Sequence, residues 1–256
     1  MKTKTFLPFV LFVTICLACV TDQFTNTLIN SEVELQKNWK TAELTSSFYN
    51  NQIVLSHYQI DAKKLRDITL SPLVTNFRFT LELNQNQELQ IEVAGVDQKG
   101  VILSSFSSII NTDSNTKNSI DQLQFSTYIY DINPLDLSLT DKHLLSYKSA
   151  YTYINNWEKS IQNQQIKSLI TYNGERIRYF SMPKEVVKAM VSPQKVTSIA
   201  LFLGLNGTNK LTTVFIQKNS AGSLILNTAY NKSGIYPEDN EGDIYDFSKP
   251  CPTFCH

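Results

Sequence analysis

The stretch YQIDAKKLRDITLSP, Tyr58 to Pro72, reads residue by residue onto YFSMPKEVVKAMVSP, Tyr179 to Pro193. Outward from this pair the correspondence continues. After a one-residue insertion, Val74-Thr75 answers Val196-Thr197, Leu81 answers Leu203, and Leu83-Asn84 answers Leu205-Asn206. Leu89 then answers Leu211, and Gly100 answers Gly222. Upstream, Asn38-Trp39 matches Asn156-Trp157; downstream, Ile129-Tyr130-Asp131 matches Ile244-Tyr245-Asp246. A period of about 120 residues is too long for a solenoid repeat and suits two tandem copies of one small domain. The expectation is an α+β chain: repeat domain A at 24–136 and repeat domain B at 137–256, each a helix, a strand, a helix and a three-stranded antiparallel meander.

In the second copy, Leu144, Tyr147, Tyr151, Ile154 and Trp157 recur at three- and four-residue steps, one face of an amphipathic helix, with Thr140 as its expected N-cap. A strand is predicted near Arg176–Phe180 after the Asn173-Gly174 turn, and a short helix over Ser181–Val191 with Pro183 in its first turn. Ile199, Leu201, Leu203 and Leu205 alternate as a half-buried strand does, Leu211–Gln217 forms its hairpin partner, and Ser223–Leu226 a third strand. The first copy repeats the plan. Ile29, Val33 and Trp39 mark its first helix, Ile53–Tyr58 its strand, Asp61 caps the helix carrying Leu65 and Ile68, and Phe77–Leu83 pairs with Leu89–Val93. The paired tyrosines, tryptophans and leucines read as core anchors. Asp131 and Asp246 read as caps of nearby backbone N–H groups.

The N-terminus reads as an address. Lys2 and Lys4 precede an apolar run, Phe6 to Leu17, too short to span a bilayer, so residues 1–18 read as a signal peptide. Ala18 before Cys19 resembles the lipobox of bacterial lipoproteins, which would make Cys19 a lipidated first residue; cleavage after Ala18 without lipidation is the other reading. Loss of Lys2 and Lys4 turns a neutral chain, 23 basic against 23 acidic residues, into one of about −2. No basic stripe with interleaved aromatics is present, which argues against nucleic acid as a partner.

Cys251 and Cys255 then remain as an even pair in an oxidising compartment, which reads as a disulfide. Thiol exchange and a metal site that adds His256, with His57 or His143, are the alternatives. There is no Gly-x-Ser-x-Gly elbow, and the histidines at 57, 143 and 256 show no triad partner. With only eight glycines in the chain, no phosphate loop appears. Glu82, Glu88 and Glu92 of the first hairpin read as a hydrophilic outer strand face. Neither a catalytic residue, a metal ligand nor a cofactor is assigned.

Asn156-Trp157, Ser181-Met182-Pro183-Lys184-Glu185, the leucine-rich hairpin over Ile199–Ile216, and Cys251-Pro252-Thr253-Phe254-Cys255 together resemble exported proteins of unknown function from the Bacteroidota. That resemblance implies no activity. The expectation is an exported, lipid-anchored outer-membrane lipoprotein acting as a non-enzymatic binding or scaffolding module. It would meet the membrane through its N-terminal lipid and an envelope protein or glycan through the groove between copies. An envelope hydrolase built on scattered carboxylates is the competing class.

Overall fold

The computed structural model of the chain describes residues 39–125, 139, 141–164, 166–226, 242–246 and 249–251. After helical residues 39–41 come α1 (Ser46–Val54), β1 (His57–Asp61), α2 (Ala62–Thr69), β2 (Asn76–Leu83), β3 (Leu89–Val96), β4 (Ile102–Ser107), β5 (Ile109–Asn111) and α3 (Ser114–Leu123). Then follow α4 (Tyr147–Gln162), the small hairpin β6 (Thr171–Tyr172) and β7 (Glu175–Arg176), β8 (Tyr179–Pro183), α5 (Lys184–Val191), β9 (Ser198–Leu205), β10 (Leu211–Lys218), β11 (Ile244–Tyr245) and β12 (Lys249–Cys251). The chain is mixed α and β, with two five-stranded antiparallel sheets.

The sheets are interleaved. One runs β11-β10-β9-β1-β5 and the other β12-β8-β2-β3-β4. Strand β1, from the first half, lies on β9, with Tyr58 opposite Leu201 and Ile60 opposite Ile199. Strand β8, from the second half, lies on β2, with Phe180 opposite Phe79 and Met182 opposite Phe77. Neither 24–136 nor 137–256 therefore contains the whole of either five-stranded sheet. The exchange is mirrored in the helices that follow. Ala62 N–H donates to Thr197 O at 3.2 Å as α2 starts, and Lys184 N–H donates to Thr75 O at 3.0 Å as α5 starts.

Alternation along the strands explains the layers. One face of each sheet turns inward, where Phe77, Phe79, Leu81, Ile91 and Val93 meet Tyr58, Ile60, Ile199, Leu201 and Phe215. The Phe79 and Phe215 rings, one from each sheet, sit 4.9 Å apart. Helices α2 and α5 pack together, and Arg66 Nε donates to Val191 O at 2.6 Å at the end of α5, where a cation satisfies a carbonyl the helix leaves open. The other face of the first sheet carries Ala200, Phe202, Val214 and Ile216, covered by Ile120 and Leu123 of α3 and Tyr147, Ala150 and Ile154 of α4. The buried steps of α4 match the expected helix, but its N-cap is Ser146, whose hydroxyl accepts from Ser149 N–H. Thr140 lies outside the described residues.

Several expectations need correction. Ile53 and Val54 end a helix instead of starting a strand: SSFYNNQIV buries Phe48, Tyr49 and Gln52 and leaves Ile53 and Val54 outside. The strand of the second half lies at 179–183, and its helix starts at Lys184. Tyr58 is not the spatial counterpart of Tyr179. The bounds of α2 and α5, β2 and β9, and β3 and β10 all differ by 122 residues, which places Tyr58 against Phe180 and removes the insertion. Residues 223–226 form no third strand; only Leu224 bridges Lys218, and β11 takes the place beside β10. Glu82 and Glu92 are buried, so the outer face of their hairpin is not a solvated one.

Gly204 marks a close approach between β9 and α4. A Cβ there would sit 3.0 Å from Tyr153 Cβ and 3.3 Å from its carbonyl carbon, whereas one on Gly207 would meet nothing within 4 Å. Gly204→Ala is expected to destabilise by about 1–3 kcal/mol through overpacking, with Gly207→Ala close to neutral, measured by denaturant unfolding. In the same assay Met182→Ala should cost about 2–5 kcal/mol in one transition, seen alike from Trp39 and Trp157. Two transitions would contradict sheets shared between the halves.

Candidate functional site

His57 opens β1, and strand alternation turns it away from its neighbour Tyr58. Tyr58 is fully buried between the sheets, where its hydroxyl accepts from Gln52 Nε2 at 3.3 Å and burial pushes its phenol pKa up. His57 faces the helical layer beside Phe202, ring centroids 5.6 Å apart. Its Nε2 lies 3.0 Å from Nζ of Lys218, the last residue of β10, and its Nδ1 lies 3.2 Å from Ser56 Oγ. An ammonium only donates, so Nε2 is the acceptor and the ring proton sits on Nδ1. The two side chains are 1 % and 2 % exposed.

Asp113 completes the charge environment. It is the N-cap of α3, its carboxylate accepting from Asn115 N–H at 2.9 Å and from the Thr116 hydroxyl at 3.2 Å. The backbone bond from Asn115 holds its pKa down. Burial lowers the Lys218 pKa, and the Asp113 charge opposes that shift. The His57 pKa falls to about 4, first through burial and then through the Lys218 charge, against a smaller upward pull from Asp113. A neutral imidazole holding one end of a buried ammonium is the result.

The cleft above His57 runs between α1 and β1 on one side and α4 and β9 on the other. Gln52, Ser56, Trp157, Glu158 and Phe202 contribute to its walls, and a 3.3 Å ion pair between Lys117 and Glu158 crosses its rim. Its free volume is about 30 Å³. Pockets for small organic ligands run from about 300 Å³ upward, so this cleft takes water and little else. A second concavity is open, about 800 Å³, with Lys159, Ser160, Asn163, Lys167, Thr171 and Asn209 among its lining residues.

The other residues singled out in the sequence lie apart from His57. Cys251 is fully buried on β12, with Arg178 Nη2 donating to its sulfur at 3.0 Å. Cys19, Cys255, His256 and Asp131 lie outside the described residues, so neither the lipidation nor the Cys251–Cys255 pairing is placed. His143 Nδ1 is 3.0 Å from Asp246 O, and Asp246 Oδ1 accepts from the Thr212 hydroxyl at 2.6 Å, a reach onto β10. Among the described residues no group of three or more His, Cys, Asp or Glu side chains converges as a metal site would require. Among them also no helix is long and apolar enough to cross a membrane.

The Lys218–His57 pair was missed in the sequence, though one trace of it is there. Val214, Ile216 and Lys218 share a strand face, and the lysine breaks an apolar stripe. No family model, curated protein or solved structure matches the chain.

The His57 shift fixes a pH dependence. The unfolded imidazole takes its proton near pH 6.5 and the folded one only near 4, so between these values the unfolded chain binds more protons. Stability is expected to be intact above pH 6.5 and to fall by up to about 3 kcal/mol as pH drops through that window. His57→Gln, which keeps an acceptor for Lys218 but cannot titrate, should flatten the fall in denaturant titrations from pH 7 to 4. An unchanged slope would show that His57 is not the group responsible.

Proposed function

We propose that this chain is an exported, lipid-anchored protein of the outer membrane that binds or scaffolds an envelope protein or glycan and performs no chemistry of its own. The observation that carries the reading is the contrast between two concavities among the described residues. The titratable cluster with shifted proton affinities sits under a cleft of about 30 Å³, while the open basin of about 800 Å³ offers lysines, amides and hydroxyls. Catalysis needs a shifted acid or base that touches substrate; glycan or protein recognition needs an accessible field of hydrogen-bond donors. The competing hydrolase requires convergent acids in a cavity, and His57 meets a lysine instead.

Internal duplication is part of this proposal, and turn chemistry supports it. Asn84 Oδ1 accepts from Asn86 and Glu88 N–H, as Asn206 Oδ1 does from Thr208 and Lys210 N–H. Asp97 Oδ1 accepts from Lys99 and Val101 N–H, as Asn219 Oδ1 does from Ala221 and Ser223 N–H. Each bond in one half has its partner 122 residues on. Strand exchange between such halves produces one body from two copies, so the seam is internal and the basin on the second half becomes the accessible surface.

Two experiments test the reading. Palmitate incorporation should be lost in Cys19→Ser; labelling that persists would refute the anchor. Native protein captured from solubilised envelopes is expected to retain a protein or glycan partner in His57→Gln and to lose it in a Lys159→Glu, Lys167→Glu double variant. A hydrolytic activity on envelope glycan or peptide that disappears in His57→Gln would overturn the non-enzymatic assignment.

A further inference from the structure

Strands β4 and β5 form one continuous edge along both sheets. β4 is the last strand of the second sheet, beside β3, and β5 is the last strand of the first, beside β1. Ser108 alone separates them, its N–H donating back to Ile91 O at 2.9 Å, and Ser56 N–H donates to Asn111 O at 2.8 Å at the far end. Every backbone pairing of this segment among the described residues is to β3, β1 or the loop before β1, so among them no strand covers the opposite row of backbone groups. Such an edge is a template for another strand.

Proteins blunt free edges with charge or proline. β12, at the other end of the second sheet, reads Lys-Pro-Cys. The edge over residues 101–111 has neither: no charged residue and no proline occurs between Lys99 and Asp113. It instead exposes Val101 at 54 %, Ile102 at 40 %, Leu103 at 41 %, Ile109 at 65 % and Ile110 at 38 %. Free apolar edges of this length are sites of association.

The sequence of the edge identifies what fits it. About Phe106 it reads the same way in both directions by residue type: Ser105 answers Ser107, Ser104 answers Ser108, Leu103 answers Ile109 and Ile102 answers Ile110. Val101 and Asn111 end the correspondence, and beyond them Lys99 answers Asp113. An antiparallel pair related by a two-fold axis brings each residue opposite its mirror position in the partner. Set about Phe106, that pairing places aliphatic on aliphatic and serine on serine. It places no like charges across the axis.

We infer that the edge strand 101–111 is a homodimer interface, in which a second copy of this chain pairs antiparallel about Phe106. The second sheet of each copy then continues into the first sheet of its partner. Phe106 is half-buried against the inter-sheet core with the Lys64 ammonium 5.2 Å from its ring centroid, so the residue on the axis is held in place before pairing. The inference stands apart from the envelope assignment: failure of this pairing leaves partner capture by the open basin untouched.

The test uses the full exported chain carrying Cys19→Ser. By analytical ultracentrifugation at micromolar concentration it is expected to sediment as a dimer. Ile102→Lys with Ile110→Lys sets two lysines opposite each other on both sides of the axis and should raise the dimer dissociation constant by at least about thirtyfold. Ile102→Lys with Ile110→Glu sets opposite charges in the same places and should restore dimers to within about tenfold of the parent. Ser105→Cys with Ser107→Cys, both exposed and mirrored about Phe106, should form intermolecular disulfides under mild oxidation. A monomeric parent, a dimer indifferent to the two-lysine variant, or equal loss in both charged variants would each overturn the inference. So would a monomer whose 101–111 amides gain hydrogen-exchange protection only when envelope extract is added, which would assign the edge to a strand of another protein.

Discussion

Two short strands hold this molecule together by sitting in the wrong half. β1 carries Tyr58 and Ile60 into a sheet whose hairpin comes from residues 198–218, and β8 carries Phe180 and Met182 into the sheet built on 76–96. All four side chains are fully buried. Full burial of one large apolar side chain contributes about 1.5–3 kcal/mol, and each strand also completes backbone pairing that its host hairpin would otherwise leave open at the edge. The helices start where the exchanged strands end, anchored by the reciprocal bonds from Ala62 to Thr197 and from Lys184 to Thr75. Asp61 adds a side-chain cap, accepting from Lys63 and Lys64 N–H at 2.7 and 3.0 Å, whereas Pro183 offers no side-chain cap at the matching position.

The buried cation follows from the same exchange. Lys218 ends β10 and His57 begins β1, two strands that flank β9, so bringing β1 across places the imidazole within 3.0 Å of the ammonium. A lone lysine buried there would favour its neutral form. Asp113, from the segment that follows β5, supplies negative charge to the same region, and the neutral His57 supplies an acceptor. Each partner comes from the first half and the lysine from the second. The cluster therefore reads as a polar fastening of the seam.

Much of the fold was legible because local physics reports directly on sequence. Tyr147, Ile154 and Trp157 at helical spacing announced α4, and alternating Phe77–Leu83 and Ile199–Leu205 announced the hairpins. Alternation says which face of a strand is buried but not which strand lies beside it, so the exchange of β1 and β8 left no trace. The identity of Tyr58 with Tyr179 pulled the comparison one residue out of register, although only Tyr58 is fully buried. The expected face of Glu82 and Glu92 failed for a related reason. Polar residues at every second position signal solvent only when nothing covers that side of the sheet, and here both are buried. The candidate site was less legible still, because His57 and Lys218 stand 161 residues apart and meet only through the pairing of other strands.

Interleaved sheets also constrain the order of events during synthesis. A chain made from its N-terminus presents residues 57–61 well before residues 198–205, so β1 exists for an interval without its main hydrogen-bonding neighbour. Contacts between segments this distant in sequence make folding slow and leave apolar strand surface open in the interval. Tyr58, Ile60 and the inner faces of β2 and β3 then stay open until β8 and β9 follow. Completion waits until nearly the whole chain has been made, which turns the last stretch of synthesis into the committing step of folding.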